Sequence, residues 1–404
     1  MSKGGKNKMN KLSRIIFVGG MALGLASCLS ACGPKGEAAN LKVGLILLHP
    51  AVSSTYDKNF KEAFLAAQKK LGFKAVIKEN VPEDAPCQAA AEEMADQGCS
   101  IVFADSFGHE DYMIAAAQTH PDTFFCHATG TKAATVNLPN FFNAFASIYE
   151  GRYLAGVTAG LKLKELYGDS ITDAQAKIGY VGAHPYAEVK SGYTSFYLGV
   201  KSVVEKVTME VTFTGSWYDE VKEKTAAEKL ISRGATLISQ HADSYGAPNA
   251  CETAGIPNVS YNGSTLTKCP NTFLVSSKIN WQPYYEHVID CFMNNKTLEK
   301  DYVGTIETGS VQLTEFSKNC AAGTKEYVES VKAELEAGTR HVFDVNTFTI
   351  NGAAPTEASV KPGPYTFPDA PEGTEFLKGG FYNESVYRSA PSFDVDIDGI
   401  TILD

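Results

Sequence analysis

The chain is 404 residues long, carries 36 Lys and Arg against 46 Asp and Glu, and has a formal net charge of −10 at pH 7. That length exceeds one typical hydrophobic core, so two lobes are expected. An acidic surface repels phosphate backbones, which excludes nucleic acid as a partner.

Lys3, Lys6, Lys8, Lys11 and Arg14 precede an apolar run from Ile15 to Leu25 that stops at small residues. This is the pattern of a signal peptide, residues 1–31, and it implies a place outside the cytoplasm of a bacterium. The run is short for a permanent span, and no later stretch approaches the roughly 20 apolar residues a span needs. Leu29, Ser30, Ala31 and Cys32 read as a lipobox, whose thiol takes a diacylglyceryl group. Leu25, Ala26, Ser27 and Cys28 form a second candidate; Cys32 is favoured because Ala precedes it and a polar Gly/Lys/Glu tether, residues 32–40, follows. The membrane is then met through the lipid anchor alone, and two or more acyl chains make that anchoring stable.

From Leu41 short apolar runs alternate with amphipathic stretches, as in βα units on a parallel sheet. Strands are expected at 42–48, 75–79, 100–104, 123–127 and 140–144, with helices at 58–71, 86–97 and 110–119 between them. A helix over 148–166, with Ala155, Gly156 and Ala159 set for close packing, opens a second series. Its strands are expected at 177–181, 210–213, 236–240, 258–261 and 273–277, and its helices at 188–204, 222–232 and 248–254. A helix over 282–294 fits back on the first lobe. The domains so read are 41–147 plus 279–305, and 148–278 plus 306–345, joined by several strands. A tail, 346–404, rich in Pro, Gly and Thr, is expected as short strands and loops across one lobe.

Cys87, Cys99, Cys126, Cys251, Cys269, Cys291 and Cys320 follow the leader, none in C-x-x-C spacing. In an export compartment structural disulfides are the default, with Cys251–Cys269 and Cys291–Cys320 the expected pairs. No nucleophile elbow, glycine-rich phosphate loop or His-Glu-x-x-His pair occurs, so no catalytic residue, metal ligand or cofactor is expected.

Ligands of open α/β sheets sit beyond the carboxyl ends of the strands. The residues expected there are Tyr56, Asp57 and Phe60, then Phe107, Thr129, Glu188, Trp217, His241, Asp243, Asn262, Lys278 and Trp281. Rings and polar groups so mixed suit a flat heterocycle, gripped by its faces and read at its edges. An aromatic pair drawn from Tyr56, Phe60, Phe107 and Trp281 would clamp the ring, while Asp243, Asn262, Thr129 and Glu188 bond its edge. Tyr56 and Phe60 could equally be core, and Asp57 and Asp243 helix caps. Both tryptophans of the chain, Trp217 and Trp281, fall at strand ends.

Tyr149–Thr158, YEGRYLAGVT, resembles the basic membrane protein family of substrate-binding lipoproteins, as do NVPED from Asn80, SFG from Ser106, HATG from His127, KIGYVG from Lys177, QHADS from Gln240 and INWQPYY from Ile279. The resemblance, running from about Leu41 to Phe343, implies a type I periplasmic-binding-protein fold with two doubly wound lobes and a multi-strand hinge. It also implies a purine nucleoside or nucleobase as cargo, an ABC permease and its ATPase as partners, and a monomer that is no enzyme. A ligand-sensing ectodomain of the same fold is the alternative. The family's Asp-Lys-Ser-Phe-Asn segment is matched by Asp57, Lys58, Asn59 and Phe60, but Lys61 replaces its last Asn. Two family carboxylates become Asn262 and Thr129, while Lys278 keeps a lysine that lies near the ribose. Losing two acceptors for vicinal hydroxyls makes a free base competitive with a nucleoside.

Overall fold

The structure is a computed structural model that describes residues 38–361 and 370–403. The expected signal peptide, Cys28 and the lipidation site Cys32 lie outside the described residues.

The first series runs β1 (Lys42–Ile46), α1 (Thr55–Leu71), β2 (Lys74–Lys78), α2 (Ala85–Asp96), β3 (Ile101–Ala104), α3 (Glu110–Thr119), β4 (Phe124–Ala128) and β5 (Phe141–Ala146). The second runs α4 (Ile148–Tyr167), β6 (Lys177–Gly182), α5 (Ala187–Lys201), β7 (Thr208–Phe213), α6 (Glu220–Ser232), β8 (Ile238–His241), α7 (Gly246–Ala254), β9 (Asn258–Tyr261) and β10 (Phe273–Ile279). Then come α8 (Gln282–Met293), β11 (Asp301–Gly304), β12 (Val311–Leu313), α9 (Thr324–Glu336), β13 (Leu377–Lys378), β14 (Phe381–Tyr382) and β15 (Ile400–Ile402).

One sheet has the order β11-β5-β4-β3-β1-β2 and the other β12-β10-β9-β8-β6-β7-β15. Every pairing in them is parallel except β10 with β12. The doubly wound α/β class expected from the alternation is therefore present. Helices cover both faces of a parallel sheet, so its central strands are buried throughout, as β3 and β8 are at every residue. Local signals set the helix ends: Ser54 caps α1 by accepting from the Asp57 N–H, and Gly72, at φ 85°, ends it in the left-handed region.

The chain crosses between the sheets after β5, after β10 and between β11 and β12. These crossings lie side by side, with Ser147 N donating to Gly304 O at 2.7 Å and Asn280 N to Ser310 O at 2.7 Å. This is the multi-strand hinge. Behind it α4 presses on α5 so closely that a Cβ at Gly156 would lie 2.1 Å from the Phe196 carbonyl oxygen. The small residues noted in α4 serve this approach.

Two expectations need correction. The tail does not lie across one lobe only. Its β15 extends the second sheet beside β7, and Lys190 of α5 pairs with Asp394 and Asp396 at 3.0 and 3.1 Å. Yet Ser389 donates its N–H and hydroxyl to Asp301 of β11, in the first sheet, at 2.6 and 2.5 Å. The tail thus straps the two lobes together. The two disulfides are also not formed, all seven cysteines being free. Cys251 and Cys269 each make a separate contact, with Asn258 and Asn249, and Cys291 sits on α8 of the first lobe while Cys320 bonds the Leu274 carbonyl of the second.

Candidate functional site

Strand order reverses at β1/β3 in the first sheet and at β6/β8 in the second. Such switch points leave a crevice at the strands' carboxyl ends. Here the two crevices face each other. The loops after β1 and β3 bring Leu48, His49, Tyr56, Ser106 and Phe107, β4 brings Thr129, and the second sheet answers with Glu188, Trp217, His241, Asp243 and Tyr261. Together they line a narrow gap between the two sheets. A wider outer pocket shares Phe107, Thr129, Glu188 and Trp217 with it.

The lobes are shut over the inner pocket. Thr55 donates its N–H and hydroxyl to the Asp243 carbonyl at 3.1 and 3.2 Å, joining the start of α1 to the loop after β8. His49 packs on Tyr218 with ring centroids 5.2 Å apart, and Phe107 faces Tyr186 at 6.1 Å.

Of the residues expected at the site, Tyr56, Phe107, Thr129, Glu188, Trp217, His241 and Asp243 line this pocket. The other five do not. Trp281 is buried and stacks on Phe60 at 4.3 Å, both held in the first lobe because α8 turns back onto α1. Phe60 packs behind Tyr56, so Tyr56 is the ring presented by this helix. Asp57 is turned inward, accepting from His49 N at 2.7 Å and from the Ser54 hydroxyl at 2.5 Å. Asn262 donates to Asp243 Oδ1 at 3.2 Å and holds that side chain. Asn262 and Lys278 line a separate groove with Lys58 and Glu315. His49 and Tyr261 were missed, although both stand at strand ends, where the same rule would have found them. Arg388, Ala390 and Pro391 of the strap, which border the outer pocket, carry no sequence signal.

Thr129 is the strained residue of the site. Its φ is 70°, a region that costs a β-branched residue dearly. The neighbours hold it there: Thr129 N bonds Ala144 O, Gly130 exchanges hydrogen bonds with the Asn143 side chain, and Glu110 accepts from Thr131 N and Lys132 N. The Thr129 hydroxyl is buried in the wall with no partner.

Burial governs the titratable groups. It pushes the Asp243 carboxyl well above the usual range, helped by the nearby Glu223 and Asp57, which favours the protonated form, able to donate as well as accept. His241 is pushed down by burial, against the pull of Glu188, whose Oε1 lies 3.3 Å from Nε2; the ring is neutral. Behind Tyr56, whose hydroxyl donates to Asp105 O at 2.6 Å, burial and the charge of Asp57 push the Asp105 carboxyl well above the usual range. Burial raises Asp57 as well, but the bonds from His49 and Ser54 outweigh it and keep Asp57 ionised.

Arg152, from the YEGRYLAGVT stretch, lies wholly buried under the pocket floor. It donates to Tyr180 and Ser239 hydroxyls at 2.7 and 3.0 Å and to Ser277 at 3.2 Å, and its guanidinium lies 5.1 Å from the Tyr261 ring. One side chain of α4 thus ties together strand ends of the second sheet. Among the described residues no group of three His, Cys, Asp or Glu could hold a metal ion, and no helix is long and apolar enough to cross a membrane.

Residues 42–337 match the family described as ABC transporter substrate-binding protein PnrA-like. A purine-binding protein of Brucella abortus (strain 2308) is 30% identical over 84% of this chain and 87% of its own length. A putative ABC transporter glucose-binding protein of Haloferax volcanii is also 30% identical, over 60% of this chain and 59% of its own. Among solved structures, an ABC transporter solute-binding protein from Conexibacter woesei superposes with a TM-score of 0.60 at 18% identity, covering 74% of this chain and 98% of its own; this likeness shows the fold.

Proposed function

As the chain belongs to the family of PnrA-like ABC transporter substrate-binding proteins, a family of binding proteins rather than enzymes, we propose that it holds a purine in the cleft between its two sheets and delivers it to a permease and its ATPase. The observation that carries this is the inner pocket itself. Rings of Tyr56, Phe107 and Trp217 border a space edged by the Asp243 carboxyl, which burial pushes toward its protonated form, the unpartnered Thr129 hydroxyl and Glu188. A purine presents two flat faces and an edge of mixed donors and acceptors. A carboxyl that keeps its proton answers such an edge with one donor and one acceptor. The 30% identity to a purine-binding protein supports the same cargo.

A free base is favoured over a nucleoside. The two positions where the resemblance expects carboxylates hold Asn262, turned to Asp243, and Thr129, whose single hydroxyl cannot grip a vicinal diol as an ionised acceptor does. Delivery takes place outside the cytoplasm, by a monomer tethered through a lipid on Cys32, and hinge closure presents both lobes to the permease.

Calorimetry of the purified protein against purine and pyrimidine bases, their nucleosides and simple sugars tests the cargo. Heat of binding with a purine base is expected. Binding of glucose alone, or of no ring compound, overturns the reading. Mass spectrometry of the membrane-extracted protein tests the anchor: a diacylglyceryl adduct at Cys32 supports it, and an unmodified amino terminus refutes it.

A further inference from the structure

The cleft does not end at the inner pocket. Past Phe107, Thr129, Glu188 and Trp217 lies the wider outer space, whose remaining walls include Tyr186, Ala390 and Pro391. Two features set this space apart from an ordinary cleft mouth. The first is its rings: Tyr186 lies 6.1 Å from Phe107 across the lobes and 6.0 Å from Trp217, centroid to centroid. Phe107 and Tyr186 are 39% and 47% exposed, so large apolar faces border it without cover, at the rim of a site otherwise closed.

The second is its third wall, which neither lobe supplies. The strap is held in place by Asp301, which accepts from the N–H and hydroxyl of Ser389. Arg388 is bonded to the Ala390 and Pro391 carbonyl oxygens at 3.1 and 2.6 Å. Ala390 and Pro391 thereby form a small, rigid, apolar wall opposite the rings. Because it is anchored on the first sheet at Asp301 and on the second at Lys190, the wall keeps its place when the lobes are shut.

We propose that this outer space is a second subsite of the cargo site, and that it takes an uncharged apolar or flat substituent carried by the ring compound held deeper in. The inference rests on the purine reading above. The two pockets adjoin at Phe107, Thr129, Glu188 and Trp217, so a ligand held in the inner one can extend a substituent toward the outer. Rings on one side and Ala-Pro on the other remove apolar surface from water without requiring polar partners.

The test is calorimetry with adenine, hypoxanthine, N6-benzyladenine, 9-benzyladenine and 9-benzylhypoxanthine. At least one benzyl compound is expected to bind about tenfold or more tightly than its parent base, as burial of a ring-sized apolar group implies. Ala390→Trp, which fills the subsite, and independently Tyr186→Ala, which removes one of its walls, are each expected to shrink that ratio. Use of both variants protects the test against a single misfolded one. Parent bases that bind as well as every benzyl derivative overturn the subsite and leave the purine reading intact, as does a benzyl gain unchanged in both variants. Absence of binding by all five compounds sinks the purine reading and the subsite with it.

Discussion

Trp281 stacks on Phe60 with ring centroids 4.3 Å apart and planes 25° apart, and the pair stays in the interior of the first lobe. Trp217, the other tryptophan of the chain, borders the cleft. The two indoles therefore report on different things.

Ligand binding is expected to change the emission of Trp217 and leave that of Trp281 nearly constant. A Trp217→Phe protein should lose the ligand-dependent fluorescence change, whereas Trp281→Phe should keep it and unfold at lower temperature, since it loses packing against Phe60 and Tyr284. Fluorescence titration beside a thermal melt checks this; a ligand signal that vanishes in Trp281→Phe alone would place the cleft elsewhere.

Thr129→Gly should make the protein more stable and a poorer receptor. Glycine adopts φ 70° without the cost of about 1–2 kcal/mol that a side chain incurs there, less the greater freedom glycine has in the unfolded chain. The net gain expected is under about 1 kcal/mol in denaturant titration. Ligand affinity should fall because the Thr129 hydroxyl is lost from the pocket wall. Equal affinity in both proteins would show that the strain serves no ligand contact.

Glu223 makes stability depend on pH. Burial raises its carboxyl from an ordinary 4.5 to about 7, although it accepts from Ser244 N and Asp219 N. The fold then binds this proton more tightly than the unfolded chain does. Its contribution is greatest at acid pH and is lost as the pH rises from 4.5 to about 7, by up to roughly 3 kcal/mol. Glu223→Gln should flatten the stability profile across that window, measured by urea denaturation at pH 5 and pH 8. A parallel decline in the variant would assign the effect to other buried carboxyl groups, such as Glu384, which burial also raises to about 7.

Asp301→Ala should loosen the strap on the first lobe, leaving Ser389 only its bond from Asn143 there. Ser389 loses both of its bonds to the carboxylate, each charge-assisted bond being worth about 1.5–3 kcal/mol. Hydrogen exchange measured by mass spectrometry should quicken over residues 386–391, while β1, β3 and β4 keep their protection. Unchanged exchange in that segment would show that Asn143, which also donates to the Ser389 hydroxyl, together with Lys190 and β15 holds the strap without Asp301.

Much of this molecule can be read from its residues. The alternation of apolar runs with amphipathic stretches marks nearly every strand and helix up to α8, because both faces of a parallel sheet must be buried and each crossover helix needs one apolar face. The same rule places Tyr56, Phe107, Thr129, Glu188, Trp217, His241 and Asp243 at strand ends, where they are found around the pocket. It does not separate Tyr56 from Phe60. They are one helical turn apart, and only the packing of α8 on α1 decides that Phe60 meets Trp281 while Tyr56 meets the cleft.

The same limit explains the other misses. The strands β11, β12 and β15 are short and gain their identity from the sheet edges they join, so no period betrays them. Cysteine spacing could not show that Cys291 and Cys320 settle in different lobes. Local chemistry, written along the chain, determined the alternating elements, their caps and the choice of strand ends as the place for a ligand. Which of those ends face each other, which ring is turned to the gap, and that a distant tail closes its side were decided only in the folded protein, because they depend on contacts between segments a hundred or more residues apart, as Asn143 and Ser389 are.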